Sequence, residues 1–276
     1  MPRTVKVAVI GSGLAGLTAA YMLSTEPPQG GVKFEVHLFE QSSTLGMDAH
    51  SVSIPTGGHG HESRIDVPMR SFQGGYYRRL IALYRHLGVR FRPTDFSYSF
   101  SFLTSDRRIT TSLIYNGASG LRGLGIASSL RSSDKHNRPL DRLRAAASTY
   151  LSFALLCLLF LWNYVRLVAL SAPAFRPRDA HRMSFRAWSD ATVPRAPLAR
   201  WLGLDAHWRA FTRDTLVPLF SAVCTASATD VLDHPAEEFL DYIWLTLFTH
   251  HYVASDGVRD VVARLAAPIH HVHLSS

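Results

Sequence analysis

Three glycines close to the N-terminus have the spacing of a phosphate-binding turn. Gly11, Gly13 and Gly16 form a G-x-G-x-x-G pattern directly after the β-branched run 4–10. In this pattern the first glycine permits a tight turn, the second lets a pyrophosphate approach the backbone, and the third lets the following helix pack on the strand. The free N–H groups and positive dipole end of that helix favour phosphate charges. The chemistry indicated is the binding of a dinucleotide.

Glu40 is the acidic residue that such a site requires. It follows the apolar run 34–39, which is predicted to be the second strand. A carboxylate at this position accepts hydrogen bonds from the ribose hydroxyls and disfavours a 2′-phosphate, so NADP is a poor ligand. The remaining residues of the turn, Ser12, Leu14 and Ala15, are predicted to contact the same nucleotide.

The elements that must position these residues follow from hydrophobic periodicity. Residues 4–10 are typical of a buried parallel strand, and residues 14–23 have helical spacing. Prolines and glycines at 27–31 break the chain before the second strand. The order strand, helix, strand predicts an α/β fold that begins with a Rossmann-type unit.

Two further segments carry a resemblance to a known family. The sequence QSSTLGMDAHSV at 41–52 contains a Leu-Gly turn after the acid, and IDVPMRSF at 65–72 contains an Asp-bearing strand. Together with the glycine turn, they make the chain similar to the flavin-containing amine oxidase and phytoene desaturase superfamily. The closest likeness is to a branch described as NAD/FAD-binding oxidoreductases. The resemblance runs from residue 5 to about 113 and returns at 215–227 and 253–265.

This resemblance implies FAD as the cofactor. It assigns the ADP half to the glycine turn, Glu40, Gln41 and Gly46, with Met47 standing where relatives have a second glycine. It also implies that Gly257 and Val258 open a helix before a strand at 270–274 that touches the adenine.

The same resemblance places Met69 and Arg70 beside the isoalloxazine ring. They are the candidate catalytic residues, since a flavoenzyme leaves the redox chemistry to its cofactor and uses side chains to position substrate and tune the ring. An arginine there could stabilise the negative charge of reduced flavin. The alternative for Arg70 is a structural salt bridge.

The implied fold class is α/β, with a Rossmann-type FAD-binding domain (GR2-like) and an inserted α+β substrate or membrane region. The expected segments are 1–72 for the first part of the FAD domain, 73–250 for the substrate or cap region, and 251–276 for the returning part. Members of the superfamily are normally longer and end in a third FAD-contacting motif. We therefore expect the C-terminal part to be lacking from the 276 residues.

Residues 145–165 form an uncharged segment between Arg144 and Arg166. About 20 apolar residues in a helix can cross the hydrocarbon core of a bilayer. Three interpretations remain open: a membrane-spanning helix, an interfacial helix that draws lipophilic substrate from the bilayer, and a buried helix of the substrate domain. A single span would put the two parts of one FAD domain on opposite sides of the membrane, which favours the other two.

The stretch 96–102 alternates aromatic residues with serines and is predicted to be a strand with one aromatic face. That face could pack in the core or line an apolar substrate cavity.

The remaining signals exclude other classes of site. Two groups of histidines occur, one with an acidic residue at 59–62 and one at 270–273. Neither group has the spacing of a helical ligand pair, so no metal site is predicted. The formal charge of +8 comes mostly from scattered arginines, with one basic cluster at 131–144, so no nucleic-acid interface is predicted. Cys157 and Cys224 cannot form a disulfide framework and are expected to be reduced thiols of an intracellular protein.

The function expected from the sequence is an FAD-dependent oxidoreductase, amine oxidase-like or desaturase-like, that acts on a small lipophilic molecule. One alternative is a truncated, non-catalytic relative that binds a nucleotide or a membrane. A third is an NAD-dependent dehydrogenase. The expected location is intracellular, with membrane association through 145–165.

Overall fold

A computed structural model describes most of the chain in eight stretches, namely 3–27, 30–46, 50–55, 62–67, 70–94, 96–116, 123–131 and 139–276. Met47 and Met69 lie outside the described residues, as do His59 and His61. The chain divides into two compact units. The first unit comprises 1–94 and 250–276, and the second comprises 95–249.

The strands and helices follow one another in a mixed order along the chain. The strands are β1 Arg3–Ile10, β2 Val32–Glu40, β3 His50–Pro55, β4 Glu62–Val67, β5 Ser71–Gln73, β6 Phe91–Thr94, β7 Tyr98–Leu103, β8 Ile109–Tyr115, β9 Leu124–Gly125, β10 His251–Ala254 and β11 His271–Leu274. The helices are α1 Leu14–Thr25, α2 Arg78–His86, α3 Pro139–Ser171, α4 Phe185–Ala191, α5 Pro197–Trp201, α6 Leu204–Phe211, α7 Val217–Cys224, α8 Ala228–Asp233, α9 Ala236–Thr246 and α10 Gly257–Ala266.

A parallel sheet of three strands organises the first unit, with β2 between β1 and β11. Its apolar face is buried under α1 and α10: Val36 and Leu38 of β2 pack with Leu17 of α1 and Leu265 of α10. These side chains fall on one face because side chains alternate along a strand. The packing holds the start of α1 against the ends of the strands.

The opposite face of this sheet is not buried among the described residues. Burial alternates along β1, and Ile10 is 78% exposed. The prediction of a fully buried strand at 4–10 is therefore wrong for the described structure. The physical reason lies in the alternation itself, because Thr4 and Lys6 share the exposed face with Ile10, while Val5, Val7 and Val9 lie on the other.

The boundary of the insertion also differs from the prediction. Residues 73–94 belong to the first unit, so the inserted unit begins at 95 rather than at 73. Two contacts account for this. Strand β6 pairs antiparallel with β10 in a sheet ordered β5-β10-β6, and α2 contributes Ile81 and Tyr84 to the core of the first unit.

The second unit is mostly helical, with the small antiparallel sheet β7-β8-β9 beside it. Its core contains fully buried aromatic side chains, among them Trp188, Trp208 and Phe220. Between α6 and α7 the chain forms a π-helix, Thr212–Leu216. Pro218 follows at the start of α7, where its missing N–H and its ring interrupt the regular ladder of hydrogen bonds.

Helix α3 is 33 residues long and contains the apolar segment 145–165. Its later part enters the core of the second unit, where Asn163, Leu167 and Ser171 are buried. Only 11% of its most apolar 18-residue window is buried, so the interpretation of 145–165 as a buried helix does not hold for this structure. Among the described residues, it is the helix long and apolar enough to cross a bilayer.

Candidate functional site

The glycine turn lies where β1 ends and α1 begins. Gly11 has φ +88°, a left-handed conformation that L side chains rarely adopt, and its N–H donates to the carbonyl of Phe39 at 2.8 Å. This bond joins the ends of β1 and β2. The chain can therefore leave the sheet sharply and start the helix beside it.

Gly16 is required by a close approach of backbone to backbone. A Cβ atom built on Gly16 would lie 2.0 Å from the carbonyl oxygen of Gly11. No side chain can occupy that space unless the turn or the helix moves. The third glycine of the pattern thus holds the first turn of α1 against the phosphate turn, as the sequence predicts.

Gly13 has the opposite environment. It is the N-cap of α1, without a side-chain cap, and a Cβ atom built on it meets nothing within 4 Å. The first N–H groups of a helix have no acceptor within it, which here concerns Leu14, Ala15 and Gly16. Open space above unpaired donors at a positive helix end is what a pyrophosphate needs.

Glu40 is hydrogen bonded directly to this turn. Its Oε2 accepts from the Ser12 N–H at 2.8 Å and from the Ser12 hydroxyl at 2.5 Å, while Oε1 accepts from the Ser42 N–H at 2.8 Å. Ser12 itself is buried. The acid at the tip of β2 therefore also braces the phosphate turn, a role that the sequence pattern did not indicate.

These bonds stabilise the ionised carboxylate. Hydrogen bonds to the carboxylate lower the pKa of Glu40 to about 2. The bond from the Ser12 hydroxyl has the largest effect, and those from the Ser42 and Ser12 N–H groups come next. Glu40 is therefore an anion at any physiological pH. A ribose hydroxyl that approaches it must add to the bonds from Ser12 and Ser42 or replace one of them.

Gly46 returns to the same turn. Its N–H donates to the Ser12 hydroxyl oxygen at 3.1 Å, which brings the Leu-Gly segment beside the glycine pattern. Gln41 is exposed next to Glu40. The predicted contacts of Met47 fall outside the described residues. The structure thus brings together the predicted positions from Gly11 to Gly16 with Glu40, Gln41 and Gly46.

Val258 lies at the start of α10, which begins at Gly257 as predicted. Its N–H donates to Asp66 Oδ1 at 2.8 Å, and Val258 is 2% exposed. This bond fastens α10 to β4 and occupies the backbone donor of Val258. Contact with an adenine stays a prediction for this residue.

Of the two candidate catalytic residues, only Arg70 is described. It is exposed and immediately precedes β5. Its proximity to a flavin ring stays a prediction, as does that of Met69.

The aromatic strand β7 lines a pocket in the second unit. Its residues 98–102 face Asp214 of the π-helix and Pro218 of α7 across a pocket of about 210 Å³. Tyr98 and Phe100 are half-buried, and burial raises the pKa of Tyr98. Ser99 and Ser101 line the pocket together with the aromatic residues, so an aromatic-lined substrate cavity stays a prediction.

A cluster of ionisable side chains that chain spacing did not reveal lies on the open face of the parallel sheet. The Glu35, His37 and His271 side chains each offer a ligand atom, and these atoms lie within 4.8 Å of one another. Glu35 and His37 are two residues apart, but His271 reaches them only through the pairing of β11 with β2.

The geometry of the glycine turn agrees with a comparison of sequences. Residues 9–87 match the family described as "NAD(P)-binding Rossmann-like domain". This stretch is a Rossmann-like domain. It contains the glycine turn, Glu40 and Gly46, so the predicted α/β fold with a Rossmann-type unit is confirmed. No curated protein matches the sequence of this chain significantly.

Comparison with solved structures finds similarity to two oxidases and to a Rab GDI. Putrescine oxidase bound to putrescine is 18% identical, with 99% of this chain and 51% of that chain covered and a TM-score of 0.41. Cyclohexylamine oxidase from Brevibacterium oxydans IH-35A is 15% identical, with 98% and 51% covered and a TM-score of 0.42. Rab GDI from Plasmodium falciparum is 12% identical, with 100% and 58% covered and a TM-score of 0.48.

The chain spans about half the length of these structures.

The close approach at Gly16 yields a first prediction. Gly16→Ala should lower the free energy of unfolding by about 1–3 kcal/mol, since the new methyl group overlaps the carbonyl of Gly11. Gly13→Ser is the matched control, because its Cβ meets open space and serine is a favoured N-cap. Urea unfolding followed by circular dichroism measures both. Equal stability of the two variants would contradict the packing described for the turn.

The lowered pKa of Glu40 yields a second prediction. Because the folded state holds this carboxylate ionised, its bonds stabilise the fold fully above the unfolded pKa of 4.5, and the contribution disappears as pH falls through about 2. Wild type should therefore exceed Glu40→Gln in stability at about pH 6, and the difference should shrink at about pH 3. Urea unfolding at both pH values measures it. A difference that grows on acidification would contradict this assignment.

Proposed function

We propose that the protein is an FAD-dependent oxidoreductase, amine oxidase-like or desaturase-like, acting on a small lipophilic substrate. The observation that carries this proposal is the joined site of the glycine turn and Glu40, in which an open helix N-terminus and an ionised acid lie at the carboxyl ends of β1 and β2. Dinucleotides bind at such ends in Rossmann-type sheets.

The segment after Glu40 favours FAD over NAD. It resembles the corresponding segment of the flavin-containing superfamily, and Gly46 within it folds back onto Ser12. In this proposal the N–H groups of Leu14 and Ala15 bind the pyrophosphate, and Glu40 binds the adenosine ribose. The bonds between Glu40 and Ser12 hold both parts in position before the cofactor arrives.

When bound, FAD supplies the redox chemistry by accepting a hydride from the substrate. The chain contributes binding and orientation. The guanidinium of Arg70 is our candidate to face the ring system and to stabilise negative charge there, with Met69 beside it. The pocket along β7 is our candidate substrate site, and Tyr98, Phe100 and Phe102 line it together with Ser99, Ser101 and Asp214.

Two other functions remain candidates. A non-catalytic relative would keep the nucleotide site or a membrane contact without turnover, and an NAD-dependent dehydrogenase would use the same glycine turn for a different dinucleotide. Both share the Rossmann-like domain with our proposal. A bound flavin that can be reduced would distinguish the FAD-dependent oxidoreductase from these two candidates.

We also propose that α3 associates with a membrane surface. Large apolar side chains project from it into solvent, among them Leu151, Leu155 and Leu158. A groove of about 710 Å³ runs along its later part and is lined by Leu161, Trp162, Arg166 and Phe175, among others. The interfacial interpretation has topological support. Strand β11 pairs with β2, so the chain before and after α3 must lie on the same side of a bilayer.

The third prediction concerns the cofactor. Purified with detergent and supplied with FAD, the chain should show the visible bands of oxidised flavin, and dithionite should bleach them. Gly13→Val should lose the flavin, because the new side chain fills the space that the pyrophosphate occupies. Met22→Ala, on the exposed side of α1 away from its N-terminus, should retain it. Absorbance after gel filtration measures the occupancy.

Two outcomes would contradict the cofactor proposal. A folded wild-type chain that takes up no FAD would contradict the proposed FAD-dependent oxidoreductase and favour a non-catalytic or NAD-binding protein. Retention of flavin by Gly13→Val would show that the pyrophosphate does not lie over this turn. Circular dichroism of each variant ensures that a lost cofactor is not simply a lost fold.

The fourth prediction concerns α3. The chain should sediment with vesicles of phosphatidylcholine that contain some phosphatidylglycerol. Replacement of Leu151, Leu155 and Leu158 by glutamate should release it, since burial of each leucine contributes about 1.5–3 kcal/mol. The matched control replaces two exposed apolar residues of the small sheet, Leu103 and Ile109, by glutamate. A wild-type chain that stays in the supernatant, or equal release by both variants, would contradict the role of α3.

A further inference from the structure

The two faces of the parallel sheet have different chemistry. One face is apolar and covered by α1 and α10. The other carries a set of ionisable side chains contributed by three strands. They are Lys6 of β1, Glu35 and His37 of β2, and His271 and His273 of β11. These groups lie apart from the glycine turn and from the Glu40 side chain, which are at the carboxyl ends of β1 and β2.

The register of the strands brings the three central side chains together. His271 pairs with His37 on the neighbouring strand, and Glu35 lies two residues before His37 on the same face. The rings of His37 and His271 are stacked, with centroids 4.4 Å apart and planes inclined by 11°. Glu35 Oε1 lies 2.9 Å from His37 Nε2.

We propose that Glu35, His37 and His271 bind one divalent metal ion of the zinc type. Two imidazoles and one carboxylate are a ligand set that Zn²⁺ accepts, with bonds of about 2.0–2.2 Å. Such bonds separate tetrahedral ligand atoms by roughly 3.3 Å. The Glu35–His37 contact needs to open slightly. The exposed His271 ring, which is stacked on His37, needs to rotate so that one of its nitrogens is directed at the ion, because a metal lies in the plane of each imidazole that binds it. A fourth position stays open to water.

His273 has the position of a group that orients a metal ligand. Its Nε2 lies 3.1 Å from His37 Nδ1, and its ring stacks on Phe39 with centroids 4.5 Å apart. A histidine that binds a metal through one ring nitrogen commonly engages the other in a hydrogen bond that sets the direction of the ring. Here the bond to His273 leaves His37 Nε2 directed at Glu35. His273 is therefore a positioning residue of the proposed site.

Lys6 is the competing cation. Its Nζ lies 3.4 Å from Glu35 Oε1, and its side chain is 75% exposed. An ammonium this close neutralises the carboxylate when no metal is present. Because the lysine is flexible and solvated, it can leave as the ion enters. Removal of its charge should therefore strengthen metal binding.

The bound ion would join β2 to β11. His37 and His273 are 236 positions apart in the chain, and β11 is a strand of only four residues at the edge of its sheet. A metal that binds the folded chain and not the unfolded one stabilises it by mass action. Zinc should thus raise the melting temperature of the protein by holding the returning segment on the sheet.

Calorimetric titration with zinc chloride tests the fifth prediction, on the full chain purified without a histidine tag and stripped with a chelator. We expect one ion per chain in wild type. His271→Ala should weaken zinc binding at least about 100-fold. His273→Ala should weaken it about 10–100-fold, the range typical of residues that hydrogen bond to a metal ligand. Lys6→Gln should bind more tightly than wild type. His270→Ala is the matched control, since it removes an exposed histidine next to the cluster and should leave the affinity unchanged.

The variants distinguish this site from general binding by a chain with 14 histidines. Equal loss in His270→Ala and His271→Ala, or no zinc binding by wild type, would overturn the proposal. Tighter binding by Lys6→Gln cannot result from misfolding, so it supports the site even if His271→Ala fails to fold. Unchanged or weaker binding by Lys6→Gln would show that Glu35 is not a ligand.

Discussion

The parallel pairing of β11 with β2 is the contact on which the rest of the first unit depends. It brings the returning segment back to the sheet after the whole inserted unit. The pairing also places the carboxyl ends of β2 and β11 side by side. Leu274 lies opposite Glu40, and the N–H of Ser276 donates to the Glu40 carbonyl at 3.1 Å. Because carboxyl ends of parallel strands form the ligand edge of a Rossmann-type sheet, this return completes the surroundings of the glycine turn.

The proposed nucleotide site is pre-arranged by charge as well as by shape. Glu40 is held as an anion by donors of the turn itself, and one of these donors, the Ser12 N–H, belongs to the phosphate loop. A cofactor therefore meets a turn whose position is already set by β2. The cost is competition, since the hydroxyls of a ribose must share an acceptor that Ser12 and Ser42 occupy. A carboxylate can accept several hydrogen bonds, which makes that sharing feasible.

Local signals made part of this structure predictable. The glycine spacing, the run before it and the acid after it predicted β1, α1 and β2 with ends that agree within two residues. Non-local pairing was not predictable in the same way. The cluster of Glu35, His37 and His271 arises from a register between distant strands, and the pairing of β6 with β10 moved the boundary of the insertion from 73 to 95. The bonds between Ser12 and Glu40 likewise depend on how two strand ends meet.

The two faces of the parallel sheet explain how the pairing of β11 with β2 can support both the glycine turn and the proposed metal site. Parallel strands are usually covered on both faces and are apolar throughout. In β2 the side chains alternate, with Val36 and Leu38 buried under the helices and Glu35 and His37 on the other face. Ionisable groups let that face remain hydrated in the described structure, where an apolar face would favour association. The buried face positions the glycine turn through α1. The polar face gains its ligands from the same register, so displacement of β11 would alter the edge beside Glu40 and the proposed metal site together.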